Sequence, residues 1–177
     1  YAGTLNGAVE SDIFIPKTFE TKDITAEAVC RLRASRLMDM DIASADIEAA
    51  WGNDQISFKR FDLQAGLGTV SLKGTVSLRD ETYRLDGGVA LPDISVIRSF
   101  VPEFSMADAL SGSVALTAEI EGPWMAPDIR ATVKGEKVVF GEVSADFLDA
   151  SAQWRGNLDE FGMSGDCRAE NIRAGGL

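Results

Sequence analysis

Apolar and polar residues alternate along most of this chain with a period of two, the spacing that puts each class on its own face of a β-strand. The run LGTVSLKGTVSL at 67–78 is the clearest case: Val70, Leu72, Val76 and Leu78 share one parity, and Thr69, Ser71, Lys73, Thr75 and Ser77 the other. At ~3.3 Å per residue it would extend about 40 Å, long for one strand. Gly74 in its middle predicts a bend or a bulge. Tyr83, Leu85, Val89 and Leu91 repeat the pattern after a turn at Arg79-Asp80-Glu81. Leu110, Val114, Leu116, Ala118 and Ile120 do so again, against Ser111, Ser113, Thr117, Glu119 and Glu121. A turn at Gly122-Pro123, with Pro127 beyond it, leads to Ile129, Ala131 and Val133. Further strands are expected at 137–147, 148–155 and 160–170, the last two separated by Gly156-Asn157.

The first third is less regular. Ala28, Cys30, Leu32 and Ala34 alternate with Glu27, Val29, Arg31 and Arg33. Met38, Met40 and Ile42 hold even parity, whereas Ala45, Ile47, Ala49 and Trp51 hold odd, which predicts one extra residue near Ser44. Gly52-Asn53-Asp54 reads as a turn into a strand presenting Ile56 and Phe58, or Phe61 and Leu63. One stretch departs from the β pattern. Asp93 is placed to cap a short helix with Ile94, Ile97 and Val101 on one side, ended by Pro102, with 103–109 a loop. Gly-Thr-Val-Ser-Leu at 68–72 recurs at 74–78, and Gly-Ser-Val-Ala-Leu stands at 112–116, a weak internal repetition of β units. The expectation is an all-β chain, one segment over 1–177 with at most one short helix near 93–101.

Composition adds constraints. The 177 residues are 45% hydrophobic and 25% charged, ordinary for a folded domain, and suffice for one. Seventeen basic against 28 acidic side chains give a net charge of -11, a field that repels nucleic acid and disfavours anionic membrane surfaces. There is no histidine, which removes histidine-based triads, histidine metal ligands and the commonest general base. Cys30 and Cys167 lack metal-site spacing; they read first as two separate buried thiols, with a single disulfide as the alternative. Asp39 with Asp41, and Glu119 with Glu121, would share a strand face. Paired carboxylates serve glycoside hydrolysis only beside a substrate cleft, and here their alternation with apolar residues fits a solvated face. Trp51, Trp124 and Trp154 read as packing residues before sugar platforms. No enzyme, metal or cofactor is expected. The chain begins at Tyr1 without a leader-like or membrane-spanning stretch, so it reads as an excised or processed piece of a longer protein.

The order LGTVSLKGTVSL, then DISVIRSFVPEF, then LSGSVALTAEIEGPWMAPDIRATVKGEKVVFGE, over residues 67–156, resembles the C-terminal region of TamB, the inner-membrane subunit of the translocation and assembly module. More broadly it is similar to AsmA-like bridge proteins. The likeness rests most on the strand ending in EIEG, the turn with Pro127 and the following strand with Gly135 and Gly141. It implies an elongated, curved β-taco sheet with an apolar concave face, in a protein anchored in the inner membrane and crossing the periplasm of a Gram-negative bacterium. An outer-membrane protein of the Omp85 class would be its partner. The implied function is transport of phospholipid toward the outer membrane, with a role in assembling outer-membrane β-barrel proteins. No catalytic residue or cofactor carries over. The apolar groove maps onto Val70, Leu72, Val76, Leu78, Leu85, Val89, Val114, Leu116, Ile120, Ile129 and Val133. On pattern alone the same stripe also fits the inside of a closed β-sandwich, solenoid or barrel.

Overall fold

The computed structural model describes residues 3–15, 24–37, 40–99, 110–157 and 161–174. They form one antiparallel sheet: β1 (Gly3–Thr4), β2 (Gly7–Phe14), β3 (Thr25–Leu37), β4 (Met40–Gly52), β5 (Gln55–Ala65), β6 (Gly68–Ser77), β7 (Thr82–Leu91), β8 (Leu110–Pro123), β9 (Asp128–Phe140), β10 (Val143–Gly156), β11 (Phe161–Glu170) and β12 (Arg173–Ala174). From β3 to β11 each strand pairs with the one before it in sequence. β1 and β2 lie on the outer side of β3, and β11 and β12 on that of β10, so the sheet has two ends and does not close into a barrel. The fold class expected from the alternation is thus the one observed.

Short turns make this meander. Asn53 and Asp54 both take positive φ (53° and 56°), the conformation of a tight β4–β5 hairpin that asparagine and aspartate tolerate best. The β6–β7 turn, residues 78–81, is held by Asp80 N–H donating to Ser77 Oγ at 3.1 Å. The stretch expected at 137–147 is not one strand. Gly141 takes φ 61° and, with Glu142, turns the chain between β9 and β10. Val138, Val139, Phe140 and Val143 flank that turn with β-forming residues, which conceals it in the sequence. The expected strand at 148–155 is accordingly the second part of β10. Leu78 likewise leaves the strand: β6 ends at Ser77, and Leu78 N–H donates to Asp54 O at 2.8 Å.

Bulges keep the apolar parity aligned from strand to strand. The slip expected near Ser44 lies one residue earlier, at Ala43, where the β4–β5 pairing jumps between Ile42 and Ser44. Ala34 in β3 is passed over at the same level, with φ 43°, so that Ser35 and not Ala34 continues the row from Leu32. Ser35 is buried there, and its Oγ accepts the Asn6 N–H at 2.8 Å. In β5, Lys59 and Arg60 are the bulged pair, between Phe58 opposite Gly74 and Phe61 opposite Leu72. This bulge lets Ile56, Phe58, Phe61 and Leu63 all share one face, where the alternation offered two exclusive pairs. Gly74 itself is not bulged; it faces the irregularity across the ladder.

After β7, Ile94–Ser99 forms a 3-10 turn. Asp93 caps it as expected, its Oδ1 accepting the Ser95 N–H at 2.9 Å. Val101, Pro102 and the 103–109 loop lie outside the described residues.

Candidate functional site

Register turns the alternation into continuous rows. One row runs Leu32, Ala45, Leu63, Val70, Val89, Leu116, Val133, Ala150 and Cys167, from β3 to β11. The row beside it runs Cys30, Ile47, Phe61, Leu72, Gly87, Ala118, Ala131 and Ala152. The next runs Ala49, Phe58, Gly74, Leu85, Ile120, Ile129, Trp154 and Met163. Val76 lies one level further, between Ile56 and Tyr83. Ten of the eleven expected groove residues therefore share a single face, and Leu78 alone falls outside it, in a turn.

That face is only half covered. Among the described residues the buried apolar side chains are Ile42, Ala45 and Ile94, at 5%, 3% and 4% exposure, and none is wholly enclosed. The ten groove residues on the face are all half-buried. Among the described elements, packing occurs between sheet neighbours, apart from the 3-10 turn against β8. Nine strands at ~4.8 Å by five rows at ~6.6 Å give a surface on the order of 1,400 Å². The largest apolar patch of a typical soluble monomer is about 300–600 Å². At the sheet ends the apolar side chains are barer still: Val9 is 71% exposed and Met163 72%.

The opposite face is charged. Arg33 Nη2 forks onto Asp46 at 2.8 and 3.1 Å, and Lys59 Nζ reaches Glu27 Oε1 at 2.8 Å. Gln153 Nε2 and Arg155 Nε donate to Asp128 at 3.1 and 2.9 Å. Glu119 and Glu121 do share a face, but both pair with Arg130, and Glu121 also with Arg84. They are ion-pair partners in a solvated ladder, as the alternation suggested for such carboxylates. A shallow depression of about 640 Å³ also lies on this charged face, with Asp62, Lys73, Asp86, Glu119 and Arg130 on its wall.

These pairs shift their carboxyl groups. The hydrogen bond from Arg33 holds Asp46 below the usual carboxylate range, that from Lys59 does the same for Glu27, and those from Gln153 and Arg155 for Asp128. A depressed folded-state pKa stabilises above the ordinary carboxyl value near 4, and that contribution is lost as pH falls through the folded value. Acidification also relieves the repulsion of a net charge of -11, which works the other way. Asp46→Asn isolates the first effect. Thermal melts at constant ionic strength are expected to place the variant below the parent at pH 6, with the gap closing below about pH 4. A gap that persists unchanged at pH 3 would mean the Arg33–Asp46 pair contributes through packing alone.

The cysteines do not meet. Cys30 in β3 is half-buried, Cys167 in β11 is exposed, and both are free thiols. Eight strand spacings separate them, about 38 Å, far beyond the reach of a disulfide. The expectation of two separate thiols holds, but that of two buried ones does not: Cys167 sits in β11, which among the described strands has β10 alone beside it. A thiol reagent is expected to label Cys167 within minutes and Cys30 more slowly, and reductant should leave the melting temperature unchanged. A reductant-sensitive melt would contradict this arrangement.

Trp51 and Trp154 lie on the apolar face, the first between Ala26 and Ile56, the second between Ile129 and Met163. Trp124 is in the β8–β9 turn, its N–H donating to Glu81 O at 2.8 Å. Among the described residues no three His, Cys, Asp or Glu side chains gather in a way that would hold a metal, and no helix is long and apolar enough to cross a membrane. Comparison with protein-family models, with curated proteins and with solved structures gives no match.

Proposed function

We propose that this chain is a lipid-sheltering segment of a TamB-like envelope protein, its apolar sheet face covering phospholipid acyl chains on their way between membranes. The observation that carries this reading is the width of that face: rows of mostly apolar residues, many of them half-exposed, continue over nine strands, β3 to β11. A carboxylate-rich opposite face keeps such a sheet in solution while the apolar side takes up hydrocarbon.

Magnitudes fit transport better than storage. Full burial contributes ~0.8 kcal/mol per methylene, and a floor on one side covers about half of a chain. A sixteen-carbon chain would gain on the order of 6 kcal/mol, equivalent to a dissociation constant of roughly 10⁻⁴ to 10⁻⁵ M. Occupancy at that level is compatible with sliding between equivalent rows. No residue in this scheme performs covalent chemistry. The periplasm, an inner-membrane anchor and an Omp85-class partner belong to the same proposal through the resemblance.

A second reading has its own observation. β2 and β11 each pair on one side only among the described residues, and neither holds a proline, though Glu10 and Asp12, and Asp166, Arg168 and Glu170, place charge along them. Such edges fit a scaffold that adds strands of nascent outer-membrane proteins. Native mass spectrometry with lipid extraction separates the two. Co-purifying phospholipid supports the first. A lipid-free protein that captures an extended β-hairpin peptide supports the second, and a lipid-free monomer inert to both would overturn each.

A further inference from the structure

Among the described residues the apolar face has one roofed position. The 3-10 turn Ile94–Ser99 packs against β8, and its Val96 and Ile97 face residues of β5, β6 and β7 across a cleft of about 280 Å³. Leu63, Ala65 and Val70 form its floor, Met40 its rim, and Val96 and Ile97 its roof. Its wall is almost wholly carbon.

Small residues create the space. The row that crosses under the turn runs Ile42, Ala65, Gly68 and Leu91. A Cβ at Gly68 would lie 2.2 Å from Ala90 O, so that floor position stays without a side chain. Ile94, 4% exposed, anchors the turn, and the Asp93 cap fixes its first residues. Water entering such a cleft would find few of the polar partners it needs. Leu63 and Val70 also belong to the row that continues through Val89, Leu116 and Val133, so the cleft opens onto the broad apolar face.

We infer that this cleft is a discrete seat for the terminal part of one hydrocarbon chain. At roughly 30 Å³ for a methylene-sized unit it holds about nine carbons. The inference rests on the lipid reading above and adds a position to it. Along the open rows a chain touches protein on one side, whereas under the turn it touches floor and roof. A chain that slides on the rows is retained here, with the rest of the acyl group lying toward Val89 and Leu116.

The test uses the whole chain and a twelve-carbon fatty acid carrying a diazirine at its methyl end, kept below its micelle concentration. After irradiation, crosslinks are mapped by peptide mass spectrometry. Crosslinks are expected at Met40, Ala65, Val96 and Ile97, and they should disappear in Ala65→Phe, which fills the cleft, while those at Leu85, Val89 or Leu116 persist. Val96→Phe fills it from the turn and serves if the strand substitution prevents folding. Crosslinks spread over the rows with none under the turn would overturn the seat and leave the sheltering surface standing. An absence of crosslinks anywhere on the face would overturn both.

Discussion

Replacing Leu72 and Leu116 together by aspartate is expected to lower the phospholipid that co-purifies with this chain about ten-fold, the equivalent of 1.4 kcal/mol, while the protein stays folded. The two side chains sit on β6 and β8, in adjacent rows near the middle of the face. Leu72 lies between Phe61 and Gly87, and Leu116 between Val89 and Val133. A hydrocarbon chain crossing either position would have to strip water from an ionised carboxylate, which costs more than the chain gains from a few methylenes. Because both leucines are half-exposed, the carboxylates stay hydrated in the lipid-free protein. Destabilisation should then be about 1–3 kcal/mol, lowering the melting temperature by roughly 2–12 °C for a domain of this size. Ser71→Asp with Thr117→Asp is the matched control. These residues adjoin the leucines in the same strands but point to the charged side, so the same charge change should leave bound lipid untouched. Loss of lipid in both pairs would reduce the effect to net charge. Outright unfolding of the leucine pair would show that the face is packed shut, which is the closed-core alternative.

The contrast between these pairs depends on information that was legible in the sequence. The parity of Val70, Leu72, Val114, Leu116, Ile129 and Val133 is a local property, set by the strand backbone, and each falls on the face that alternation assigned to it. The hairpin at Asn53-Asp54, the slip near Ser44 and the capped turn at Asp93 were legible for the same reason. Each depends on a few adjacent residues with strong conformational preferences. What lies between strands was not legible. The Lys59–Arg60 bulge reconciles Phe58 with Phe61 only because Gly74 and Leu72 stand opposite, a fact of pairing and not of pattern. Gly141-Glu142 turns the chain inside a run that reads as strand, since valine and phenylalanine on both sides outweigh one glycine. The strands β1 and β2 went unread because Ser11 and Phe14 break the alternation that Val9 and Ile13 begin. The cleft beneath the 3-10 turn arises where Ala65 meets Gly68 across two strands, and no single stretch of sequence contains it.

Gly74→Val is expected to cost on the order of 3–5 kcal/mol, a large part of the total stability of a domain of this kind. A Cβ at this position would lie 2.1 Å from Arg84 O and 2.8 Å from Leu85 Cα, in the backbone of the neighbouring strand. Neither atom can rotate away as a side-chain tip can. The φ of 132° is also one that a valine rarely adopts. Relief requires β6 to part from β7 or to slip, and a one-residue slip would send Val70, Leu72 and Val76 to the charged face. Thermal melts should show a fall of roughly 6–20 °C, or little folded protein at all. Gly66→Ala, in the β5–β6 turn with nothing within 4 Å of its would-be Cβ, is the control and should melt close to the parent. A Gly74→Val protein as stable as the parent would mean that β6 and β7 do not pair as Gly74 with Leu85 and Val70 with Val89. The rows would then break at the centre of the sheet, and the continuous apolar face with them. The glycine therefore tests the register from which the lipid-sheltering surface is built, independently of any lipid.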